Sequence, residues 1–259
     1  MKTQKILLVN EAGCFDPGIV ALAKQLSKWH RVCIVAPLSP SEGNGAAVTI
    51  MRPIRARQFF ALSRVKIFGV TGTPVDCVTL ALDKLLHSRP DIIICGIDHK
   101  NNRGETIYSS GVVSAAIAGT IQGIPSIAVS ADIAKESRET EFNRVARAFM
   151  RKLPIIMRDF DHGTTLNVNF PRQFNPNRRV DTHLTTQFLD NQYTHEVSPF
   201  GTTFYWMKNP VMGHSIECLD QQGDIYWLKK NYITMTRLKY DLTDYDVLVK
   251  LNKKSGIVL

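Results

Sequence analysis

The sequence predicts an α/β fold built on a three-layer, doubly wound and mainly parallel sheet. Short apolar runs at 5–9, 31–36 and 91–97 are rich in branched aliphatic residues, which is typical of strands buried on both faces. The segments at 17–28 and 76–86 carry apolar residues at helical spacing. Strands that alternate with helices form βαβ units, whose crossover helices cover both faces of the sheet. The predicted core is therefore Rossmann-like.

The other predicted elements extend this core and add a C-terminal segment of different composition. After residue 171 the sequence becomes polar, aromatic and rich in turn residues. We therefore predict one domain over 1–259, with an α/β core at 1–172 and an oligomerisation extension at 173–259. Strands at 204–207 and 231–236 are candidates for pairing with another subunit. The remaining predicted elements are strands at 48–51, 65–70, 124–130 and 165–171, helices at 108–119 and 141–152, and a helix or loop at 241–251.

The composition is that of a globular protein without a membrane span. Hydrophobic residues make up 44% and charged residues 21% of the chain, and no apolar run approaches the roughly 18 residues of a membrane-spanning helix. The N-terminal residues lack the cleavage site of a signal peptide. The five cysteines are scattered and show no zinc-ligand spacing, which indicates reduced thiols. We therefore expect a cytoplasmic protein.

The net charge of +9 raises the question of nucleic-acid binding. The basic residues are spread along the chain, and no recognition-helix or basic-region pattern accompanies them. This distribution favours a solvated, mildly basic surface over a polynucleotide site.

Acidic side chains follow several of the predicted strands. Glu11 and Asp16 follow the first strand, Glu42 lies in the glycine-rich loop after the second, and Asp98 follows the apolar run that starts at residue 91. In open α/β sheets the carboxyl ends of the strands meet at one edge, and ligands bind there. These acids are therefore expected to converge at the mouth of a site. Ordinary solvated turn carboxylates are the alternative interpretation.

Small residues open the helix predicted at 108–119. Ser109, Ser110 and Gly111 stand at its start, where free N–H groups and the positive end of the helix dipole suit an anion. Tight packing of the helix on the sheet explains the same residues, and the two explanations are compatible.

Together these motifs resemble the SurE family of metal-dependent nucleotidases over nearly the whole chain. Asn10-Glu-Ala-Gly13 and Asp16-Pro-Gly18 resemble the family's Asn-Asp-Asp-Gly and Ala-Pro-Gly. The resemblance implies a SurE-like fold and a phosphatase that hydrolyses nucleoside 5′- and 3′-monophosphates, assembled as a homodimer or tetramer through the C-terminal extension. Further matching segments are Ala36-Pro37, Glu42-Gly-Asn-Gly45, Thr71-Gly-Thr-Pro-Val-Asp-Cys77, Cys95-Gly-Ile-Asp98, Ser109-Ser-Gly-Val112, Leu166-Asn-Val-Asn-Phe-Pro171, Phe204-Tyr-Trp206 and Tyr232-Ile-Thr-Met-Thr-Arg-Leu238.

The positions that hold the divalent metal in this family are occupied differently here. By the resemblance they fall on Glu11, Ala12, Glu42 and Asp98, where the family has two aspartates, a serine and an asparagine. Ala12 cannot bind a metal, but Glu42 and Asp98 replace neutral oxygen ligands by carboxylates. Hard cations such as magnesium or manganese prefer such oxygens. We therefore predict a metal site at Glu11, Glu42 and Asp98, which Asp16 could complete.

The positions that bind phosphate in the family are retained more closely than the metal-binding positions. The resemblance implies that Glu11 and Asp98 are the catalytic carboxylates, since hydrolysis needs a metal to neutralise phosphoryl oxygens and a group to accept a proton from water. Two other hypotheses stay open: a catalytically silent SurE-like protein that binds a ligand or nucleic acid, and a phosphatase of another phosphate ester or of polyphosphate. The residues that the resemblance assigns to substrate or phosphate binding are Asn10, Gly43, Asn102, Ser110 and Gly111.

Overall fold

A nine-stranded sheet forms the centre of the molecule. The computed structural model describes residues 3–62, 65–134, 138–158, 160, 163–186, 193–208 and 220–254. Its strands are β1 (Lys5–Val9), β2 (Arg31–Pro37), β3 (Ala56–Leu62), β4 (Val65–Val70), β5 (Ile92–Asp98), β6 (Ser126–Ala131), β7 (Thr165–Phe170), β8 (Arg179–Asp181), β9 (Tyr193–Val197), β10 (Thr203–Met207) and β11 (Ile233–Leu238). Its helices are α1 (Pro17–Leu26), α2 (Pro74–Leu80), α3 (Gly111–Ile121), α4 (Arg138–Arg158), α5 (Asp224–Lys229) and α6 (Tyr245–Lys254), with a π-helical turn at Ala81–Leu85 and a 3-10 turn at Gly104–Tyr108.

The strand order in the sheet is β3-β4-β2-β1-β5-β6-β7-β11-β8. The strands β4, β2, β1, β5, β6 and β7 run parallel, whereas β3 and β11 run antiparallel to their neighbours β4 and β7. Strand β1 lies between β2 and β5, so the direction of winding reverses between β1 and β5. Ligand sites of such sheets lie at this reversal, beyond the carboxyl ends of the two central strands.

Helices cover each face of the sheet through a separate apolar cluster. On one face, Leu22 of α1 and Phe142 and Phe149 of α4 pack with aliphatic residues of the strands. On the other face, Val78 of α2 and Val112 of α3 belong to the second cluster. All five side chains are buried, and burial of one such side chain stabilises a fold by about 1.5–3 kcal/mol. The predicted three-layer, doubly wound fold is confirmed.

Side-chain caps determine where the helices around the sheet edge begin. Asp16 is the N-cap of α1, and its Oδ1 accepts a hydrogen bond from the backbone N–H two residues later. Thr73 and Asp76 cap the start of α2 reciprocally. Ser110 caps α3 by accepting a hydrogen bond from the N–H three residues later. Each cap satisfies an N–H that has no partner within its helix.

The strand predicted at 48–51 is wrong. These residues have no regular structure, and the N–H of Thr49 donates a hydrogen bond to Asp76 Oδ1 at 3.1 Å, which fastens the segment to the start of α2. The strand at this edge of the sheet is instead β3, which was not predicted from the sequence. Exposed polar residues such as Arg57 and Gln58 interrupt its apolar pattern, because an antiparallel edge strand needs no continuous apolar run.

The sheet continues past the predicted core boundary at residue 172. Strand β11 pairs with β7 on one edge and with β8 on the other, and its residues Ile233 and Met235 are buried. The suggested pairing of 231–236 with another subunit is therefore wrong, because strands of the same chain occupy both of its edges. By contrast, β9 and β10 form a separate two-stranded sheet that is exposed along its whole length.

Two findings bear on the expectations drawn from composition. Cys14, Cys33, Cys77 and Cys95 are free thiols, whereas Cys218 lies outside the described residues. In the part of the chain that the structure describes, no helix combines the length and the apolar character that crossing a membrane requires.

A buried carboxylate ties the C-terminal part of the chain to the loop that follows β5. Asp224 is completely buried, and its Oδ2 accepts a hydrogen bond from the N–H of Gly104 at 2.9 Å. Its Oδ1 accepts hydrogen bonds from the N–H groups of Thr185 at 3.0 Å and Ile225 at 2.8 Å. Because Gly104 ends the loop that begins after Asp98, the C-terminal segment supports the ligand-binding edge of the sheet.

Candidate active site at the reversal of the sheet

Two acidic residues meet at the carboxyl ends of the central strands. Glu11 follows β1 and is 6% exposed, and Asp98 is the last residue of β5 and is 7% exposed. Val9 pairs with Cys95 in the ladder between β1 and β5, which brings the two strand ends side by side. The charges of the two carboxylates act on one another. The structure thus brings together the two residues that the sequence predicts to be catalytic.

The Glu11 carboxylate lies at the N-terminus of α3. The N–H of Gly111 donates a hydrogen bond to Glu11 Oε2 at 2.7 Å, where the helix dipole also favours a negative charge. The anion at this helix start is therefore a side chain of the protein itself, and the Gly111 N–H that was predicted to face a phosphate group is used by Glu11. The hydroxyl of Ser110 accepts the capping hydrogen bond. Its own O–H group can therefore donate a hydrogen bond to a ligand.

We expect Gly111→Ala to displace the Glu11 carboxylate. A Cβ at position 111 would lie 2.7 Å from Glu11 Oε2 and 2.9 Å from Pro74 Cγ, which is too close for van der Waals contact. The hydrogen bond to Glu11 would be broken, and the affinity for divalent cations should fall roughly tenfold or more in isothermal titration calorimetry. Ser109→Ala, in the exposed loop before α3, is the control. Equal affinities of Gly111→Ala and the wild type would contradict the expectation.

A loop after β2 carries Glu42 to the rim of the site. The N–H of Ser41 donates a hydrogen bond to the Glu11 carbonyl oxygen at 2.8 Å, which ties this loop to the end of β1. The Glu42 carboxylate lies 3.9 Å from His99 Nδ1 and 3.8 Å from Lys100 Nζ. Its charge also raises the pKa of both buried acids. The third predicted metal ligand therefore faces the pair from a more exposed position.

The surroundings of Glu11 and Asp98 favour their protonated forms. Burial, followed by the charge of Asp98, raises the pKa of Glu11 to about 8, against the opposing effect of the Gly111 N–H. Burial also raises the pKa of Asp98, although the Lys100 N–H, 3.1 Å from Oδ1, and the Asn102 side chain oppose this shift. Without a cation the pair therefore holds a proton at neutral pH. A divalent cation would compete with this proton for the same oxygens.

Two buried amide groups at the site have unused donors. Asn10 is 1% and Asn102 is 4% exposed, and Asn10 Oδ1 accepts a hydrogen bond from the N–H of Gly13 at 3.1 Å. Within the described residues, the Nδ2 atoms of Asn10 and Asn102 make no hydrogen bond. The Asn102 amide still lies near enough to Asp98 to stabilise its charged form. An unsatisfied buried donor costs about 1–3 kcal/mol, so these two groups are candidates for binding an anionic ligand.

The other predicted site residues do not complete a closed metal cage. Asp16 Oδ1 caps α1, Gly43 lies exposed in its loop with φ +80°, and Ala12 offers no ligand atom. Across the described residues, no three His, Cys, Asp or Glu side chains are grouped closely enough to hold a metal ion. The oxygens that are present nevertheless suit a hard divalent cation, because Glu11 and Asp98 are buried carboxylates whose repulsion a cation would relieve.

An open cavity of about 620 Å³ adjoins Glu42. The loop that carries Glu42 forms one wall, and Arg52, Arg55 and Thr73 line the other parts. Ligand pockets in proteins typically measure about 300–1,000 Å³. The cavity therefore has room for a ligand of nucleoside size beside Glu42, although neither Glu11 nor Asp98 lines it.

The side chains that support Asn102 are not among the residues predicted from the sequence. The Asn102 carbonyl oxygen accepts hydrogen bonds from Asn167 Nδ2 at 2.7 Å and Asn169 Nδ2 at 3.0 Å. The Asn102 N–H donates to Ser130 Oγ at 3.2 Å. The sequence of β7 does indicate that its asparagines are unusual, because they alternate with apolar residues in a strand that is buried. Lys100 was missed as well, because a lysine in a polar loop carries no distinguishing pattern.

Comparison with known proteins relates this site to a described family. A sequence model of the family described as "Survival protein SurE" matches residues 6–195. The chain belongs to the SurE family. The solved structure of the SurE protein from Aquifex aeolicus is 31% identical, with a TM-score of 0.77 over 97% of this chain and 99% of that chain.

Proteins of similar sequence match this chain over nearly its full length. The protein named 5′-nucleotidase SurE from Desulforudis audaxviator is 37% identical over 261 residues, which cover 96% of each chain. The protein of the same name from Natranaerobius thermophilus is 33% identical over 96% of this chain and 97% of its own. The SurE fold that the sequence motifs imply thus agrees with the nine-stranded sheet and with the solved relative.

Proposed function

We propose that this SurE-family chain is a metal-dependent phosphatase that hydrolyses nucleoside 5′- and 3′-monophosphates to nucleoside and phosphate. The observation that carries the proposal is the buried pair of Glu11 and Asp98 at the reversal of the sheet, beside the unused amide donor of Asn102. The relatives from Desulforudis audaxviator and Natranaerobius thermophilus are named 5′-nucleotidases, which supports the same activity. The cavity beside Glu42 supports a substrate of nucleotide size.

Each residue of the proposed site has a distinct role. Glu11 and Asp98 would hold a divalent cation, magnesium or manganese, with Glu42 on the adjoining loop as a further oxygen ligand. When bound, the cation would neutralise the phosphoryl oxygens and lower the pKa of the attacking water. Asn102 Nδ2 and the Ser110 hydroxyl would donate hydrogen bonds to the phosphoryl group, and the Glu11 carboxylate would accept the proton that the water loses.

The proposal is tested with a panel of nucleoside monophosphates. Purified protein is assayed with magnesium, manganese, cobalt or EDTA, beside Asp98→Ala and the control Glu139→Gln at an exposed position of α4. Release of phosphate that requires a metal, persists in Glu139→Gln and is lost in Asp98→Ala supports the proposal. A folded wild-type protein that binds nucleotides without hydrolysing them would overturn it in favour of a silent binding protein.

Two further proposals concern the setting of the protein. We propose a cytoplasmic location, which the free thiols of the described cysteines support. We also propose assembly into a homodimer or tetramer through the hairpin β9–β10 of the C-terminal extension. Tyr205, Trp206 and Met207 are 71%, 60% and 53% exposed. An isolated two-stranded hairpin is marginally stable in water, and clustered exposed aromatic residues mark interfaces.

Charged residues on this hairpin are expected to dissociate the assembly. In the double variant Tyr205→Asp with Trp206→Asp, two carboxylates would be buried without partners at the proposed interface. The mass from light scattering should then fall to that of the 29.1 kDa monomer, with an unchanged circular dichroism spectrum. Thr140→Asp on the exposed side of α4 should leave the mass unchanged. A wild-type protein that is itself monomeric would contradict the assembly.

A further inference from the structure

We propose that Ser130, Asn167 and Asn169 are positioning residues that fix the backbone of Asn102 and thereby aim its amide at the substrate. The role of Asn102 toward a phosphoryl group rests on the proposed function. The support of its backbone is a separate claim, which can be tested without activity. None of the three supporting residues is expected to touch the substrate itself.

The hydrogen bonds around Asn102 form a closed ring. The Asn102 N–H donates to Ser130 Oγ at 3.2 Å, and the Ser130 hydroxyl donates in turn to Asn169 Oδ1. Asn169 Nδ2 donates a hydrogen bond to the Asn102 carbonyl oxygen at 3.0 Å, which closes the ring. Asn167 Nδ2 donates a second hydrogen bond to the same oxygen at 2.7 Å. The backbone N–H and carbonyl groups of one loop residue are thus both held by side chains from β6 and β7.

The burial of these side chains is difficult to explain by stability alone. Ser130, Asn167 and Asn169 are all 0% exposed, although the opposite face of β7 is built from Leu166 and Val168 in the apolar core. A buried amide is unfavourable unless its donors and acceptor are all paired, and Asn167 Oδ1 has no partner within the described residues. Aliphatic residues would fill an inner strand without this cost. A function that needs the loop held in one position accounts for the asparagines.

The ring holds the backbone of Asn102 and does not include its side chain. Its backbone is fixed on both sides, while its Nδ2 has no partner at hydrogen-bond distance within the described residues and lies close enough to Asp98 to stabilise that carboxylate. A donor that is already oriented before the substrate binds needs no reorganisation during the reaction, which is the condition for efficient electrostatic stabilisation. We therefore expect the ring to determine turnover more than substrate affinity.

Hydrogen–deuterium exchange tests the positioning without any assay of activity. The variants are Asn167→Leu, Asn169→Leu and the milder Ser130→Ala, which removes one member of the ring and tests the proposal even where a leucine variant does not fold. We expect the amides of 98–104 to exchange roughly tenfold faster or more, with the core strands unchanged. Thr165→Val is the matched control, because Thr165 Oγ1 lies 2.6 Å from Thr120 Oγ1 in another buried polar pair of the same strand.

Kinetics then separate positioning from a general loss of structure. In Ser130→Ala and Asn169→Leu we expect kcat to fall roughly 10–100-fold with KM changed by less than about threefold. Combined with Asn102→Ala, Asn169→Leu should add little further loss, because both changes disable the same donor. Exchange of 98–104 that matches Thr165→Val, or losses that multiply in the double variant, would overturn the proposal. If the wild type hydrolyses no nucleotide, the proposed function fails, and the exchange data still decide the positioning.

Discussion

Glu11→Gln is expected to lower the hydrolysis of nucleoside monophosphates on the order of 10³-fold, because the site loses one of its two buried anionic ligands. The glutamine Oε1 can still accept the hydrogen bond that the Gly111 N–H donates to Glu11 at 2.7 Å, so the geometry around α3 should be retained. Steady-state kinetics with saturating manganese measure the loss. Activity within tenfold of the wild type would contradict a role of Glu11 in binding the cation.

The same substitution is expected to stabilise the metal-free fold. The folded protein raises the pKa of Glu11 from 4.5 to about 8, so the folded state binds its proton more tightly than the unfolded state does. Wild-type stability should therefore fall as the pH rises from about 4.5 to 8 and stay reduced above it. In EDTA at pH 9, Glu11→Gln should be roughly 2–4 kcal/mol more stable than the wild type in urea denaturation. Glu139→Gln, at an exposed position of α4, should show no such gain.

Asp224→Ala is expected to be the most destabilising of the substitutions considered. The carboxylate is completely buried and accepts hydrogen bonds from three backbone N–H groups. Alanine would remove this acceptor from the N–H groups of Gly104 and Thr185 and leave the Ile225 N–H only the Thr185 hydroxyl at 3.4 Å. The free energy of unfolding should fall by about 3–5 kcal/mol in urea denaturation at fixed protein concentration. Asp83→Ala, at an exposed position in the π-helical turn, is the control.

A milder variant separates the charge of Asp224 from its oxygens. Asp224→Asn keeps one acceptor oxygen, but its amide nitrogen would face one of the three backbone N–H groups, so that two donors oppose each other. We expect its free energy of unfolding to fall by about 1–3 kcal/mol. Because Gly104 ends the loop that carries Asn102, both variants should also lower activity where the fold persists. Equal stability of Asp224→Ala and wild type would mean that the buried hydrogen bonds do not support this loop.

The parallel core could be predicted from the sequence because its strands are buried on both faces. The apolar runs of β1 and β5 stop at polar residues, and the rule that parallel strands end at one edge predicts the meeting of Glu11 and Asp98. The outer strands could not be predicted in the same way. Strand β3 is an exposed edge, and β11 returns from the C-terminal segment to pair with β7, a contact between residues far apart in the sequence.

The site was predictable in its acids but not in their partners. Glu11 and Asp98 could be predicted because each stands at the end of a predicted strand. The hydrogen bond from the Gly111 N–H to Glu11 could not, because it depends on how closely α3 approaches β1. The support of Asn102 likewise depends on β6 and β7 standing beside the loop after β5. Asp16 was predicted as a possible ligand, and its Oδ1 caps α1. A cap and a metal ligand use the same residue types at a strand-to-helix turn, so sequence alone does not separate them.

Calorimetric titration of manganese into EDTA-stripped protein tests the central claim that Glu11 and Asp98 together bind a divalent cation. We expect saturable uptake by the wild type, and binding weaker by roughly 100-fold or more in Glu11→Gln and in Asp98→Ala. Uptake that is absent from the folded wild type, or that persists undiminished in both variants, would contradict it.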